Sequence, residues 1–257
     1  MSGMADIDRL PPLPVPPLAL MKGASLFLDF DGTLVPLTDV PEAVEVDPAL
    51  HALLRRLHVA LDGRLAIVSG RSVAVLRNLF GLRGFTLAGS HGLEFAQPDA
   101  PPHAPQRLEA VDEAQAKLLA FAADKPGLLI ERKTLSVGLH FRQAPQWAES
   151  CRELAERLAR ETGLFLQIGK MLYELRPGGA DKGSAIRHLM REAPMSDGIP
   201  VFLGDDVTDE DGFAAAVSLR GNGILIGPER ATKAQWRLEH VDAVRHYLNE
   251  SVAHLTS

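Results

Sequence analysis

The sequence predicts an α/β fold: a core built on a parallel sheet, with a smaller α+β module inserted into it. Three observations carry this expectation. Short apolar runs alternate with helix-periodic stretches toward both ends of the chain, the pattern of a parallel sheet covered by helices. The middle of the chain instead pairs short strands with their neighbours, and Pro and Gly clusters stand at both crossings. With 257 residues and 46% hydrophobic side chains, the chain can bury a large core.

Residues 1–22 read as a flexible proline-rich tail, because Pro11, Pro12, Pro14, Pro16 and Pro17 exclude a helix there. The same prolines disqualify the apolar stretch from Leu10 to Leu28 as a membrane span, and Asp6 and Asp8 replace the basic flank of a secretory signal. The core is expected over 23–104 and 178–257. Its first strand is Ser25 to Phe30, ending abruptly in Asp31-Gly32-Thr33. A helix follows: Asp47 can cap it, Pro48 suits its first position, and Leu50, Leu53, Leu54, Leu57 and Leu61 recur at helical spacing. Arg64 to Ser69 reads as a second strand, Ser72 to Phe80 as a helix and Phe85 to Ala88 as a third strand. Gln97 to Pro105 is linker-like.

The inserted module is expected over 105–177, with helices from Arg107 to Ala123 and Trp147 to Thr162. Its strands are Leu128 to Lys133, Leu135 to Arg142, Phe165 to Ile168 and Met171 to Leu175. The core then resumes with a helix from Lys182, a strand from Pro200 to Leu203, a helix near Asp209 to Ala216, a strand from Gly223 to Ile226 and a terminal helix. Trp236 is also read into a helix.

Composition narrows the function. The net charge of −6, with no Lys/Arg run, excludes the electrostatic footprint of a nucleic-acid binder and favours a small-molecule partner. A single cysteine, Cys151, excludes a disulfide framework and any multi-cysteine zinc site. With no hydrophobic run of membrane-spanning length, a cytoplasmic protein is expected.

Two acidic segments carry the chemistry. Asp29-Phe30-Asp31-Gly32-Thr33-Leu34 presents two carboxylates at a strand's C-terminal end, where open α/β sheets build their sites. Alone, a polar turn with a helix cap explains it equally well. Gly204-Asp205-Asp206-Val207-Thr208-Asp209-Glu210-Asp211 also follows an apolar strand and is too densely acidic for a simple solvated turn. Hard oxygen donors of this kind suit Mg²⁺, while part of the cluster can serve as a helix cap. Ser69-Gly70-Arg71 offers a hydroxyl and backbone amides beside a helix start, and Lys182 opens another helix with a phosphate-neutralising ammonium. Nucleotide P-loop, dinucleotide and Gly-x-Ser-x-Gly patterns are absent.

In order, these four segments resemble the signature motifs of the haloacid dehalogenase superfamily, whose core is a Rossmann-like sheet and whose C2-type cap the insert resembles. More narrowly, Ser69-Gly70-Arg71, Gly89-Ser90-His91-Gly92-Leu93-Glu94, Asp181-Lys182-Gly183 and the Gly204 to Glu210 segment resemble the trehalose-6-phosphate phosphatases. The resemblance implies hydrolysis of trehalose 6-phosphate with Asp29 as nucleophile and Asp31 as acid and base. It implies Mg²⁺ held by Asp29, the Asp31 carbonyl and Asp205, with Asp206 and Asp209 in support. Ser69 and Lys182 are then phosphate holders, Thr33 steadies the loop, and Gly70, Arg71, His91 and Gly92 border the substrate. On the insert, Glu131, Lys133, Arg142, Lys170 and Glu174 become candidates for holding the disaccharide. Other capped sugar phosphatases, acting on sucrose phosphate or a glycosyl-3-phosphoglycerate, share this pattern. So does a silent sugar-phosphate-binding module beside a trehalose-phosphate synthase, although the turnover residues are all present.

Overall fold

The apolar run Ala24–Leu28 forms β1, buried along its whole length, as a strand flanked by others and covered on both faces must be. This computed structural model describes residues 12–38, 44, 46–78, 81–169 and 171–257. After β1 come α1 (Pro48–Ala60), β2 (Leu65–Val68), α2 (Val73–Asn78), β3 (Thr86–Gly89) and β4 (Glu94–Ala96). The inserted module comprises α3 (Glu109–Ala122), β5 (Leu129–Arg132), β6 (Val137–His140), α4 (Ala148–Thr162), β7 (Phe165–Gly169) and β8 (Leu172–Arg176). The chain ends with α5 (Lys182–Leu189), β9 (Ile199–Gly204), α6 (Glu210–Ser218), β10 (Asn222–Ile226), β11 (Trp236–Leu238) and α7 (Val241–Thr256).

The core sheet runs β11-β10-β9-β1-β2-β3-β4, parallel except for the β3–β4 pair. Alternate residues of its strands feed two apolar layers. Leu26, Leu28, Ile67 and Leu203 pack under α1 and α7, while Phe27, Val68, Phe202 and Leu225 pack with Ile186 of α5 and Phe213 of α6. The insert has its own antiparallel sheet, β5-β6-β8-β7. Val137, Leu139, Tyr173 and Leu175 bury one face of that sheet under α3 and α4, where Cys151 also lies as an interior helix residue. The opposite face carries the polar side chains.

Three expectations change. The tail is not free over its described part: Leu13 and Leu18 pack on the core, the Arg237 amide donates to the Pro14 carbonyl and the Tyr247 hydroxyl to that of Pro17. Prolines lack a donor but keep their carbonyls, and β11 and α7 use them. Residues 1–11 lie outside the described part. Trp236 stands on strand β11, not in a helix, and its indole donates to Asn222 Oδ1 at 3.0 Å. Strand β4, unexpected from the sequence, is held by pairing with β3 and not by any apolar run of its own.

Asp47 caps α1 as expected, accepting from the Leu50 amide at 2.8 Å and from Arg245 at 2.5 Å. These bonds, that of Leu50 foremost, lower its carboxyl below the usual aspartate range. Its contribution to stability is therefore present above the unfolded-state value and is lost as pH falls through the folded one. Asp47→Ala is expected to lower unfolding free energy by about 1 kcal/mol at neutral pH. In denaturant titrations the gap to wild type should close below about pH 4, the range of an unperturbed aspartate; a gap unchanged in acid would refute this.

Candidate active site

Strands β1 and β9 pair in register, Leu28 against Leu203, so the acidic segments that follow them emerge side by side. The Asp29 amide continues that pairing, donating to Leu203 O at 2.9 Å. Asp29 is fixed where the sheet ends.

Lys182 meets it from α5. Asp181 caps that helix and forms a reciprocal box with Ser184, which holds Lys182 in the first turn. Its Nζ lies 2.6 Å from Asp29 Oδ1 and 2.6 Å from Asp209 Oδ1. Exposure is 3% for Asp29, 4% for Lys182 and 0% for Asp209, so this is a buried ion triad and not a surface contact. Asp209 Oδ2 accepts from the amides of Asp205 at 3.0 Å and Asp206 at 2.9 Å. Asp209 thereby ties the acidic loop to the lysine.

Charge in this pocket is unbalanced. Burial raises the Asp29 carboxyl well above its usual range; Lys182 opposes this, while Asp209 and Asp205 add to it. Asp205 is pushed up to about 7 by burial and then by Asp209. Burial works against the Lys182 ammonium, but Asp209 and Asp29 outweigh it and hold the group well above the lysine range.

Asp29, Asp205 and Asp209 offer carboxylate oxygens within 4.8 Å of one another. Both Asp209 oxygens already have partners, whereas the Asp29 and Asp205 carboxylates lie close together, an arrangement that needs a proton or a cation between them. Gly32 makes room for it: its φ is +81°, and a Cβ there would stand 2.1 Å from Asp205 Oδ2. All-oxygen donors around excess negative charge fit a hard divalent ion.

Around this centre, Thr33 Oγ1 stands 3.4 Å from Asp29 Oδ2. Arg71 grips Asp31 with a two-pronged contact, 2.7 Å to each oxygen, and its amide donates to Ser69 Oγ at 3.1 Å. His91 packs on Gly70, where a Cβ would come within 2.7 Å of the ring, and Gly92 packs against the Asp181 carbonyl. The Asp206 carboxylate is exposed and accepts from the Val207 amide, so it caps its own turn.

The polar face of the insert converges on two glutamates. Register places Glu131 and Glu174 on either side of Gly138. Glu174 accepts from Lys133 Nζ at 2.6 Å and Ser136 Oγ at 2.5 Å, with His91 Nε2 of the core at 3.8 Å. Glu131 lies 2.8 Å from His140 Nε2 and 3.8 Å from Lys133 Nζ. Burial acts to raise both glutamates, but Lys133 and His91 on Glu174, and His140 and Lys133 on Glu131, hold them below the usual range. Burial lowers His91, against the pull of Glu174, and favours its neutral form. Arg142 reaches the core instead, donating to Thr38 O at 3.1 Å. Lys170 lies outside the described residues. The sheet register and contacts show which acid each one serves: Ser136 goes to Glu174 and His140 to Glu131.

The family model for trehalose-phosphatase matches residues 27–242. The chain belongs to the trehalose-phosphatase family. It is 39% identical to trehalose-6-phosphate phosphatase of Escherichia coli K12 over 224 residues, 86% of this chain and 84% of that protein. A crystal structure of a trehalose-6-phosphate phosphatase related protein superposes with a TM-score of 0.78 at 30% identity, covering 89% of this chain and 97% of that one. The Candida albicans trehalose-6-phosphate phosphatase C-terminal domain shares the fold, with a TM-score of 0.80 at 21% identity over 94% and 98% of the two chains. Membership in this phosphatase family implies a sugar-phosphate substrate. Among the described residues no helix is long and apolar enough to cross a membrane.

Removing the cation from the triad leaves two buried carboxylates facing each other. In chelator, Lys182→Met is expected to cost about 3–5 kcal/mol of unfolding free energy. Adding Asp209→Asn should return part of that loss; a double variant no more stable than the single one would show that charge burial is not the cause.

Proposed function

We propose that this phosphatase converts trehalose 6-phosphate to trehalose and inorganic phosphate through an aspartyl-phosphate on Asp29. The observation that carries the reading is the buried Asp29, set at the sheet edge by its amide and by Lys182, beneath a cap face of pre-paired Glu131, Lys133 and Glu174. Asp29 attacks phosphorus, and the bond to the sugar oxygen breaks as that oxygen takes a proton from Asp31. Asp31 then accepts a proton from water, which attacks the same phosphorus and frees Asp29.

Lys182 and the Ser69 hydroxyl hold the phosphoryl oxygens, while Thr33 steadies the nucleophile. Mg²⁺, held by Asp29, Asp205 and the Asp31 carbonyl, supplies Lewis-acid neutralisation of the non-bridging oxygens. Asp209 supports that site by fixing the Asp205 amide, and Asp206 by capping the same loop. Arg71 and the Gly70 and Gly92 turns border the phosphate. Arg71 must release Asp31 before that residue can act as an acid, and an arriving phosphate competes for the same guanidinium.

Glu131, Lys133, Glu174, Arg142 and Lys170 take the sugar hydroxyls, with His91 at the boundary of cap and core. We place the reaction in the cytoplasm, beside a trehalose-phosphate synthase as the source of substrate.

The test is phosphate release with Mg²⁺ against trehalose 6-phosphate, sucrose 6-phosphate, glucose 6-phosphate and the two glycosyl-3-phosphoglycerates. Trehalose 6-phosphate is expected to be preferred, chelator to stop turnover, and Asp29→Asn to abolish it while leaving the fold intact. Preference for another sugar overturns the substrate, and normal turnover in Asp29→Asn overturns the mechanism. Glu131→Gln should raise KM for trehalose 6-phosphate about tenfold, as loss of a charged hydrogen bond does, and leave p-nitrophenyl phosphate hydrolysis unchanged. Equal effects on both substrates would remove Glu131 from sugar recognition.

A further inference from the structure

The turn after β3 holds Ser90, His91 and Gly92 in succession in left-handed backbone, at φ 48°, 56° and 93°. Only the third is glycine, so two residues with side chains adopt a conformation that their surroundings must impose. The Ser90 amide donates to Arg71 O at 2.8 Å, and the His91 amide to Ser69 O at 3.0 Å. The remaining bonds converge on one side chain. The Ser90 hydroxyl donates to Glu94 Oε1 at 2.6 Å, and the Val73 amide, at the start of α2, donates to Glu94 Oε2 at 2.9 Å.

Glu94 is 2% exposed, and among the described residues no ion pair holds it. A buried acid in a short strand runs against burial preferences unless its oxygens are needed. Here each oxygen serves a different loop. The Val73 amide belongs to the first turn of a helix and has no intrahelical partner, so an acceptor from outside must satisfy it. An apolar side chain at position 94 would leave both that amide and the Ser90 hydroxyl unpaired.

We propose that Glu94 is a positioning residue of the phosphatase. Its carboxylate clamps the Ser69–Arg71 loop to the His91 turn and so sets where the phosphate-facing groups stand. The clamp reaches three of them: Ser69, whose carbonyl takes the His91 amide; Arg71, whose carbonyl takes the Ser90 amide; and His91, whose ring lies on Gly70. This inference rests on the proposed assignment of Ser69 to the phosphate.

The experiment measures kcat, KM for trehalose 6-phosphate, and inhibition by inorganic phosphate and by free trehalose, in Glu94→Leu, Glu94→Gln, Ser90→Ala and Ser69→Ala. Glu94→Leu is expected to lower kcat and phosphate inhibition about tenfold while trehalose inhibition stays within about twofold. Glu94→Gln keeps an acceptor for Val73 and can donate to Ser90, so it should stay within about threefold of wild type. Wild-type kinetics in folded Glu94→Leu, or equal weakening of both inhibitors, overturns the proposal. Should that variant not fold, Ser90→Ala decides: a loss of about threefold confined to kcat and phosphate supports the clamp, and unchanged kinetics overturns it. Ser69→Ala separates the two levels. If it leaves phosphate inhibition untouched the phosphate assignment itself fails, whereas weakened inhibition there beside a wild-type Glu94→Leu removes only the clamp.

Discussion

The ion triad of Asp29, Lys182 and Asp209 is the constraint on which the rest of the site depends. Burying one ammonium between two carboxylates is tolerable only if every remaining oxygen finds a donor, because each unpaired charge there loses its hydration without return. The fold meets that condition at several points. The Asp29 amide is tied to β9, Asp209 takes two loop amides, and the capping box of α5 fixes the lysine. Three segments distant in sequence are thereby locked to one another at the C-terminal edge of the sheet.

Fully ionised, the triad would carry one negative charge in excess and Asp205 would add another, and both Asp29 and Asp205 are pushed above the usual carboxylate range. A phosphate monoester there faces several carboxylates, and Lys182 is already shared between two acids. In the proposed chemistry, neutralisation by a cation therefore serves binding as well as the chemical step. The cap solves a different problem by different means. Its acids are paired in advance with Lys133, Ser136 and His140, so under the proposed function they would meet a sugar in fixed orientations without rotamers left to order.

Much of this was legible in the sequence. The buried strands are apolar runs that stop at acidic turns, and α1 announces itself by Asp47, Pro48 and a leucine period. Other features were decided by tertiary pairing. β4 and β11 are three residues each, too short for any periodicity, and exist because β3 and β10 offer them an edge. Asp206 and Asp209 look equivalent in the acidic segment. The single helical turn at Val207–Asp209 separates them, pointing one at solvent and bringing the other beneath the loop to Lys182. Local sequence carried the acidity of the segment and not which acid turns inward.

The Asp31–Arg71 pair adds an ordering to the proposed chemistry. Both Asp31 oxygens are engaged by the Arg71 guanidinium, whereas the proposed first step needs one of them to face the sugar oxygen. A phosphate dianion is a stronger bidentate partner for arginine than a carboxylate is. In that proposal its arrival draws Arg71 away and leaves an Asp31 oxygen free to face the bridging oxygen. Without substrate the same pair holds the Asp31 carboxylate against Arg71. In the proposed chemistry the freedom of Asp31 to act is thus tied to occupancy of the phosphate site, and the backbone of the loop that carries Arg71 decides how readily the guanidinium can move between its two partners.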